Sequence, residues 1–426
     1  MKFRIPLLAL VAGLAALLAA PGVCDEPPPE DERESASLII RRDFVIQLKR
    51  DELISEVLAD YAEFNATLTA SMPAHRLYAL SLYIALDDDA SEGIFSADAR
   101  FDDEQHNEDN ISSDGHTQSF FFRVSATASE FETQPARHQI ALETLPRGAR
   151  GTGVTVAVLD TGVSDHAVLA GKLAPGGWNF VDANADTSDR SDGTDNDGNG
   201  LVDELTGHGT FVAGLISSIA PGAMILPVKV LDSDGHGDTF TTAAGIYHAV
   251  DQGARVINLS LSLPGDSTVV QTAINYAAAH GAIVVSAVGN AGLLAPDYPA
   301  ASPNVIGVTA VDATDVLAPF ANRDASVTIA APGVDIVGPT PDAGFALSSG
   351  TSFAAAQVSG VAALAAARFP LDSPAAIRQR LLLASRNINA QNPLDLGLFG
   401  AGRLNVRWLL NSSAIGPGAS FLRIPR

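Results

Sequence analysis

The feature that most constrains the fold is a regular alternation of short apolar runs and helical patterns from about residue 139 onward. Each run consists almost entirely of Val, Ile, Leu and Ala, which is typical of strands buried on both faces of a parallel sheet. Segments with helical spacing of their apolar residues separate the runs. We therefore predict an α/β fold with a doubly wound, mostly parallel sheet that is flanked by helices.

The predicted strands cover residues 155–160, 225–231, 255–261, 282–288, 305–311 and 327–331. The predicted helices cover residues 209–219, 240–252, 267–280 and 352–369. Gly253 and Gly281 are predicted to end two of these helices. A last helix is predicted to begin with Ser373 as its N-cap and Pro374 in its first turn.

The start of the chain has the pattern of an export signal. Lys2 and Arg4 precede an apolar run at 7–20, and about 14 apolar residues are too few to span a bilayer. We therefore predict a cleaved signal peptide over residues 1–24. The mature protein is then expected to be secreted or periplasmic, without stable insertion in a membrane.

Cys24 is the only cysteine, and it ends this predicted signal. The mature chain is therefore expected to contain no disulfide, although export would permit one. Attachment of a lipid to Cys24 is an alternative. The preceding Val23 argues against it, because such sites usually have a small residue there.

The region before the α/β domain predicts a smaller α+β unit. Residues 44–48 and 77–83 have strand patterns, and residues 51–64 have the pattern of an amphipathic helix. The predicted organisation is a signal peptide at 1–24, a linker at 25–42, the α+β unit at 43–103, an exposed junction at 104–138, the large domain at 139–412 and a short tail at 413–426.

The acidic composition limits the possible partners. The formal net charge is −23, spread over the chain, which argues against binding to nucleic acid. We expect a monomer and no organic cofactor.

Three polar residues stand at positions that favour chemistry. Asp160 ends a predicted strand, at the sheet edge where functional groups gather. His208 lies between two glycines at the start of a helix, and Ser352 opens another helix. Alone, each has an ordinary explanation, because Asp often ends a strand and Ser often caps a helix. A helix start also offers N–H groups and a positive dipole end to an oxyanion.

The three residues are more informative as an ordered set. A Ser hydroxyl becomes nucleophilic when a His takes its proton, and a carboxylate orients that His. Here the order is Asp, His, Ser, with separations of 48 and 144 residues. This chain order differs from those of chymotrypsin and the α/β-hydrolases.

The surrounding motifs resemble those of the subtilisin family. They are Val-Leu-Asp-Thr-Gly at 158–162, His-Gly-Thr with Val-Ala-Gly at 208–214, and Gly-Thr-Ser with Ala-Ala at 350–355. Val-Ser-Ala-Val-Gly-Asn at 285–290 resembles the strand that ends in the family's oxyanion Asn, which is Asn290 here. The resemblance covers residues 139–410 approximately.

The resemblance implies a secreted serine endopeptidase that hydrolyses polypeptides through an acyl-enzyme. His208 would act as base, Asp160 would orient it, Ser352 would attack, and Asn290 would stabilise the oxyanion. The α+β unit resembles a propeptide, so the enzyme would be made as a precursor that processes itself and binds its own propeptide. Three alternatives are a catalytically silent binding protein on this fold, a Ser-Glu-Asp carboxyl peptidase relative and a non-peptidase hydrolase.

The resemblance also implies segments that bind substrate. They comprise Gly235, His236, Gly237, Ser260, Leu261, Ser262, Gly289 and Asp297. P1 is the substrate residue before the scissile bond. Ser262 and Leu263 stand where the family usually has two glycines in the wall of the P1 pocket, so we predict that the pocket is narrower there. Asp297 aligns with the floor of that pocket and would favour a cationic side chain. Alternatively, Asp297 is a loop carboxylate in solvent.

The loop at 182–204 has eight acidic residues and one Arg. Part of it follows the oxygen spacing of an EF-hand loop, which predicts a structural calcium site. Its candidate ligands are Asp195, Asp197, Asn199, Leu201 and Asp203. Thr206 stands where such a loop usually has Glu, and a solvated acidic turn is the alternative. The insertion that carries calcium in many relatives is absent near 221–223.

Three residues depart from the family beside its motifs. Phe211 stands where a second His is common, and Ala356 and Gln357 replace Pro-His. These positions take no part in proton transfer, so we expect them to affect the packing of helices.

Overall fold

The computed structural model describes residues 39–50, 52–85, 124–263, 265–407 and 409–410. The predicted signal peptide with Cys24, the linker up to residue 38, residues 86–123 and the tail at 413–426 lie outside the described residues. Within the described part of the chain, no helix is both long enough and apolar enough to cross a membrane.

An N-terminal unit forms a three-stranded antiparallel sheet with one α-helix, in agreement with the predicted α+β unit. Its elements are β1 (Ile39–Gln47), α1 (Ile54–Asp60), β2 (Thr67–Met72) and β3 (Leu77–Ala85), and β3 is the central strand. β1 begins at Ile39, inside the predicted linker. β2 was not predicted, because its side chains are mostly exposed and show no clear apolar alternation.

Part of the predicted junction is folded. Residues 124–139 contain β4 (Val124–Ala126), α2 (Ala128–Thr133) and α3 (Pro135–Gln139). Thr127 and Glu130 form a capping box: the Thr127 hydroxyl accepts from Glu130 N at 3.2 Å, and the Glu130 carboxylate accepts from Thr127 N at 2.8 Å. This Thr-x-x-Glu pattern was a signal for a helix start that the prediction missed.

The large domain is built on seven parallel strands, which confirms the predicted α/β fold. They are β5 (Thr155–Asp160), β6 (Trp178–Asn179), β7 (Met224–Lys229), β8 (Val256–Leu259), β9 (Ile283–Ala287), β10 (Val305–Val311) and β11 (Ile329–Pro332). Their spatial order is β11-β10-β9-β8-β5-β7-β6. The chain crosses from one side of β5 to the other between β7 and β8. The carboxyl end of β5 therefore lies at a topological switch point, where ligands bind in such sheets.

Five helices pack around this sheet. Each helix begins within one residue of its predicted start. They are α4 (His208–Ile219), α5 (Thr239–Asp251), α6 (Thr268–Ala279), α7 (Thr351–Arg368) and α8 (Pro374–Ala384). The Ser373 hydroxyl caps α8 by accepting from Ala376 N at 3.2 Å. Gly253 and Gly281 follow α5 and α6 with φ of 76° and 87°, as expected of residues that end helices.

Alternate side chains of the sheet enter two hydrophobic cores. On β5, Val156 and Val158 pack with residues of α4 and α7, whereas Ala157 and Leu159 pack with residues of α5 and α6. All four side chains are fully buried. Burial on both faces explains why the strands are continuous apolar runs.

A second small sheet leads directly into α7. It contains β12 (Ile336–Pro339), β13 (Phe345–Ser348) and β4, with β13 in the centre and all pairs antiparallel. Because β13 ends three residues before α7 begins, this sheet determines where the start of α7 lies.

The N-terminal unit packs on α5 and α6. Val45 and Leu77 belong to the same buried cluster as residues of these helices. His75 Nε2 lies 2.7 Å from Asp251 Oδ2, and the His75 ring stacks on Tyr247 with centroids 4.2 Å apart. The interface therefore combines apolar burial with specific polar contacts.

Candidate active site

Asp160 and His208 form a buried pair at the carboxyl end of the central strand. His208 Nδ1 lies 2.7 Å from Asp160 Oδ1, and both side chains are 0% exposed. A hydrogen bond at this nitrogen determines which ring nitrogen of His208 carries the proton in the neutral state. The contact joins β5 to the first residue of α4.

Two glycines allow this approach. Gly162 has φ of 110°, and a Cβ there would lie 2.7 Å from the carbonyl oxygen of Thr187. A Cβ at Gly209 would lie 2.1 Å from the carbonyl oxygen of Gly162. A side chain at Gly209 would therefore separate α4 from the turn after Asp160, and one at Gly162 would displace the loop at residues 187 and 188 from the same turn. The glycines in the sequence motifs are explained by this contact.

Ser352 lies in the first turn of α7 and is 1% exposed. Its neighbour Phe353 packs against His208, with ring centroids 5.8 Å apart. The Ser352 hydroxyl lies 3.4 Å from the Ser260 carbonyl oxygen, and the Ser260 hydroxyl donates to the Ser352 carbonyl at 3.0 Å. The start of α7 is thus held beside the Asp160–His208 pair and against the end of β8.

A buried hydrogen-bond network that the sequence did not predict lies behind Ser352. The Asn258 amide donates to the Ser260 hydroxyl at 2.9 Å, and the Ser359 hydroxyl donates to the Asn258 carbonyl oxygen at 2.8 Å. All three residues are 0% exposed. The sequences of β8 and α7 are mostly apolar, so their hydrophobic pattern did not indicate that Asn258 and Ser359 form a hydrogen bond.

Asn290 lies at the same helix start. Its side-chain oxygen accepts from Thr351 N at 2.9 Å and from the Thr351 hydroxyl at 3.0 Å. These two bonds determine the orientation of the Asn290 amide relative to α7. The structure therefore brings together all four residues that the sequence predicted as catalytic.

The predicted P1 pocket residues lie on two segments that meet. Leu263 N donates to the Tyr298 carbonyl at 2.7 Å, which joins the segment after β8 to the segment after Asn290. A Cβ at Gly289 would lie 1.9 Å from Asp297 Oδ2, so this carboxylate lies directly against the Gly289 backbone. The Asn322 amide donates to Asp297 Oδ1 at 3.2 Å.

The other predicted substrate residues lie directly after β8 and in the segment before α5. Ser260 and Leu261 are fully buried, and the Ser262 hydroxyl is buried without a hydrogen-bond partner among the described residues. Residues 232–236 form a turn, in which Asp232 N donates to the His236 carbonyl at 2.8 Å, and residues 235–237 lie outside the helices and strands.

The acidic loop brings three carboxylates together. Ligand oxygens of Asp195, Asp197 and Asp234 lie within 4.8 Å of one another. Asp234 was not predicted; it is buried and accepts from Asn196 N at 2.5 Å and Glu204 N at 3.1 Å. A Ser-Asp-Gly turn at 233–235 was its only signal. Clustered carboxylate oxygens are hard ligands of the kind that suit calcium.

The remaining predicted calcium ligands have other contacts in the structure. The Asn199 amide donates to Asp197 Oδ2 and to Glu204 Oε2, each at 2.7 Å. The Asp203 carboxylate accepts from the backbone of residues 192 and 193, and Leu201 N donates to Asn199 Oδ1 at 2.8 Å. The geometry therefore favours a donor set that includes Asp234 over the full EF-hand spacing.

A cleft of about 870 Å³ borders the loops before α4. Its walls come from β4, the turn between β12 and β13, and the segments around Ser164 and Asp189. None of the predicted substrate-binding residues lines it. The cleft near the start of α4 is therefore distinct from the predicted substrate-binding segments.

The departures from the family act on packing, as predicted. The Phe211 ring lies 4.4 Å from that of Phe353, and a Cβ at Gly338 would lie 2.4 Å from a Phe211 ring atom. The Gln357 amide donates to the Pro332 carbonyl at 2.6 Å, and Ala356 is fully buried. Phe211 therefore packs α4 against α7 and β12, and Gln357 joins α7 to the end of β11.

The fold and the site together define a serine hydrolase class, in which Asp, His and Ser follow this order on a parallel α/β sheet. Residues 151–402, more than half of the chain, match the Subtilase family (Peptidase_S8). The chain belongs to the subtilase family and is a serine endopeptidase.

Curated relatives agree with this assignment. The chain is 43% identical over 231 residues to thermitase of Thermoactinomyces vulgaris, which covers 52% of this chain and 77% of thermitase. It is 37% identical over 269 residues to subtilisin BL of Lederbergia lenta, covering 61% and 91% of the two chains. A solved structure of a lanthipeptide protease matches with a TM-score of 0.54 and 25% identity, covering 66% of this chain and 94% of that one.

Proposed function

We propose that Asp160, His208 and Ser352 are the catalytic triad of this endopeptidase, with Asn290 as an oxyanion donor. The observation that carries the proposal is the buried Asp160–His208 contact of 2.7 Å beside the first turn of α7. Burial strengthens this interaction because little water screens it. The positive end of α7 supplies further stabilisation of a negative charge.

The proposed reaction is acyl transfer in two steps. His208 takes the proton of Ser352 as its oxygen bonds to the peptide carbonyl carbon, and His208 then gives that proton to the leaving amine. Asn290 and the Ser352 N–H stabilise the oxyanion of each tetrahedral intermediate. Water then attacks the acyl-enzyme, with His208 as base again, and the Ser352 hydroxyl is restored.

We also propose that the N-terminal unit is an inhibitory propeptide, removed by self-cleavage after export through the signal at 1–24. Its contacts with α5 and α6 support this role, because they hold the unit on the peptidase domain. The Tyr247 hydroxyl donates to Gln47 Oε1 at 3.1 Å. Burial raises the pKa of Tyr247 to about 12, so this hydroxyl remains a donor at any ordinary pH.

We propose a structural calcium ion at the acidic loop, held by Asp195, Asp197 and Asp234. Three converging carboxylates repel one another without a cation, and oxygen donors match calcium chemistry. The ion would stabilise the loop and would take no part in proton transfer.

The triad proposal is tested with a fluorophosphonate probe, which labels an activated Ser. We expect the wild type to be labelled, whereas Ser352→Ala is not labelled and accumulates as the unprocessed precursor. Ser326→Ala, at an exposed loop position, serves as the control and should behave like the wild type. A folded wild type that the probe does not label would support a catalytically silent protein instead.

A further inference from the structure

Asp189 lies in the loop between β6 and α4, outside every motif of the family resemblance. The residue is 1% exposed, and each carboxylate oxygen accepts two hydrogen bonds. Oδ1 accepts from the Thr161 hydroxyl at 3.1 Å and from Gly207 N at 2.8 Å. Oδ2 accepts from Thr210 N at 3.0 Å and from the Thr210 hydroxyl at 2.8 Å. One carboxylate therefore joins the turn after Asp160 to the start of α4.

Thr161 is the contact between Asp189 and Asp160. Its hydroxyl oxygen lies 3.1 Å from Asp189 Oδ1 and 3.4 Å from Asp160 Oδ1, and it accepts from Gly209 N at 3.0 Å. The Thr161 carbonyl accepts from Lys229 Nζ at 2.7 Å. Because a hydroxyl has one proton to donate, the shorter distance favours donation to Asp189. Asp189 thus determines the position of the residue that follows Asp160.

The backbone of Asp189 is held against the same turn. The Ser164 hydroxyl donates to the Asp189 carbonyl at 2.7 Å, and Asp189 N lies 3.1 Å from the same hydroxyl oxygen. Val163 N donates to the Thr187 carbonyl at 2.8 Å. Backbone hydrogen bonds of the loop therefore hold Asp189 beside the turn after Asp160. The position of its carboxylate does not depend on the bonds to α4 alone.

The four donors around Asp189 require a group that only accepts. An ionised carboxylate meets this requirement, whereas the NH₂ group of an amide would face at least one donor. Burial raises the pKa of Asp189, the hydrogen bonds from Gly207 and Thr210 oppose that rise, and the charge of Asp160 adds to it.

Two charged groups act on Asp189 from neighbouring strands, Asp160 on β5 and Lys229 on β7. His208 directly follows Gly207, whose N–H donates to Asp189. Burial lowers the pKa of Lys229, and the carboxylates of Asp189, Asp232, Asp182 and Asp160 act in the opposite direction. A buried negative charge near an imidazole favours the imidazolium form.

We propose that Asp189 is a positioning residue for the Asp160–His208 pair and that its charge favours the His208 cation formed during the reaction. The inference rests on the triad proposed above. The Asp189 carboxylate bonds to Thr161, Gly207 and Thr210. It acts through Thr161 on the carboxylate side and through Gly207 and Thr210 on the imidazole side.

The test compares Asp189→Asn with the wild type by kinetics on a chromogenic peptide, with kcat expressed per probe-labelled site. We expect kcat to fall about 100-fold with KM nearly unchanged, since small displacements of catalytic groups have effects of that order. Loss of the charge should also shift the acidic limb of the kcat/KM profile to lower pH by roughly half a unit. A purely structural residue would leave that limb in place.

Asp186→Asn is the matched control. Asp186 lies in the same loop, its side chain is 54% exposed, and it pairs with Arg190 at 2.8 Å. This variant changes the net charge equally and should keep the wild-type kcat and pH profile. If Asp189→Asn behaves like Asp186→Asn, the inference is overturned.

A second pair of variants tests the proposed positioning role of Asp189 if Asp189→Asn does not fold. Thr161→Val removes the hydroxyl between the two carboxylates, and we expect kcat to fall about 10-fold. Thr161→Ser should recover most of that loss, and equal kcat values for the two variants would overturn the inference. A wild type that neither cleaves peptides nor binds the probe would instead contradict the proposed function.

Discussion

Asp297 illustrates how a single side chain can influence substrate choice. Its carboxylate lies against the backbone of Gly289, one residue before Asn290, where the two walls of the predicted P1 pocket meet. The Asn322 amide donates to one of its oxygens and holds it there. A carboxylate at this position would attract a cationic P1 side chain.

We therefore expect cleavage after Lys or Arg, and we expect Asp297→Asn to lose that preference. A charged hydrogen bond in a partly buried site contributes about 1.5–3 kcal/mol, so kcat/KM for a Lys substrate relative to a Leu substrate should fall about 10- to 100-fold. Cleavage-site profiling of both proteins measures this. Asp266→Asn, an exposed control near the same wall, should keep the wild-type profile; a wild type without Lys or Arg enrichment would refute the idea.

At the residue scale, the sequence predicted the four residues of the proposed catalytic site because glycine motifs surround them in a recognisable order. Asp189, Asp234 and Ser359 were missed for a different reason. Each is defined by partners that lie far away in the chain, such as Asn258 for Ser359. Loop paths and buried polar pairing determine these contacts, and neither has a local sequence signal.

At the scale of elements, the loop between β6 and α4 holds Asp189 and two of the three carboxylates of the proposed calcium site, Asp195 and Asp197. The first half of this loop contacts the turn after Asp160, and the second half reaches Asp234 beside the end of β7. An ion at Asp195, Asp197 and Asp234 would stabilise the second half. The element that positions His208 therefore has two separate anchors.

Removal of calcium should lower the thermal stability of the Ser352→Ala protein. An ion at 100 times its Kd contributes about 2.7 kcal/mol, which corresponds to roughly 5–10 °C in Tm for a domain of this size. Differential scanning calorimetry with and without EDTA measures the change. Asp197→Asn should reduce the response to EDTA and Asp186→Asn should retain it; an EDTA response that is equal in all three proteins would exclude this site.

Six of the seven parallel strands and the five helices of the α/β domain were predictable because burial on both faces imposes apolar runs and capping residues mark the helix ends. Strands β2, β4, β6, β12 and β13 were not predicted. β2 is a mostly exposed edge strand, and β4 has three residues that gain their structure by pairing with β13. Such strands depend on a partner rather than on their own pattern.

At the scale of the whole molecule, a buried ion pair joins distant parts of the peptidase domain. Arg403 Nε donates to Asp315 Oδ1 at 2.8 Å, and the Arg403 guanidinium also contacts the Gln139 carbonyl. Burial alone would raise the pKa of Asp315. The bonds from Arg403 and Gln139 and the charges of Arg403 and Arg386 outweigh burial and hold the pKa below its usual value.

Asp315→Asn, made in the Ser352→Ala protein to prevent autolysis, should reduce the free energy of unfolding by about 3 kcal/mol at pH 7, because it leaves Arg403 buried without its partner. A lowered folded-state pKa contributes stability above the unfolded value of about 3.9 and loses it as pH falls through the folded value. The difference between the two proteins should therefore shrink below roughly pH 4. Urea unfolding at pH 7 and pH 3 measures both effects.

The control for that experiment is Asp395→Asn, which breaks the partly exposed Arg323–Asp395 pair. An ion pair near solvent contributes less than about 1 kcal/mol, so the stability of this variant should stay near that of its parent. Equal losses in the two variants would show that burial of the Arg403 pair has no special effect.

The packing of Phe353 beside Ser352 and His208 has a consequence for resistance to oxidants. Residues 139–412 contain one sulfur atom, in Met224. Met224 pairs with Thr155 at the start of β7, whereas Asp160 pairs with Lys229 at the other end of the same strands. Peroxide converts exposed thioethers to sulfoxides, but none lies at the proposed active site. We expect peroxide to leave kcat on a chromogenic peptide unchanged, because Phe353 places no sulfur beside His208.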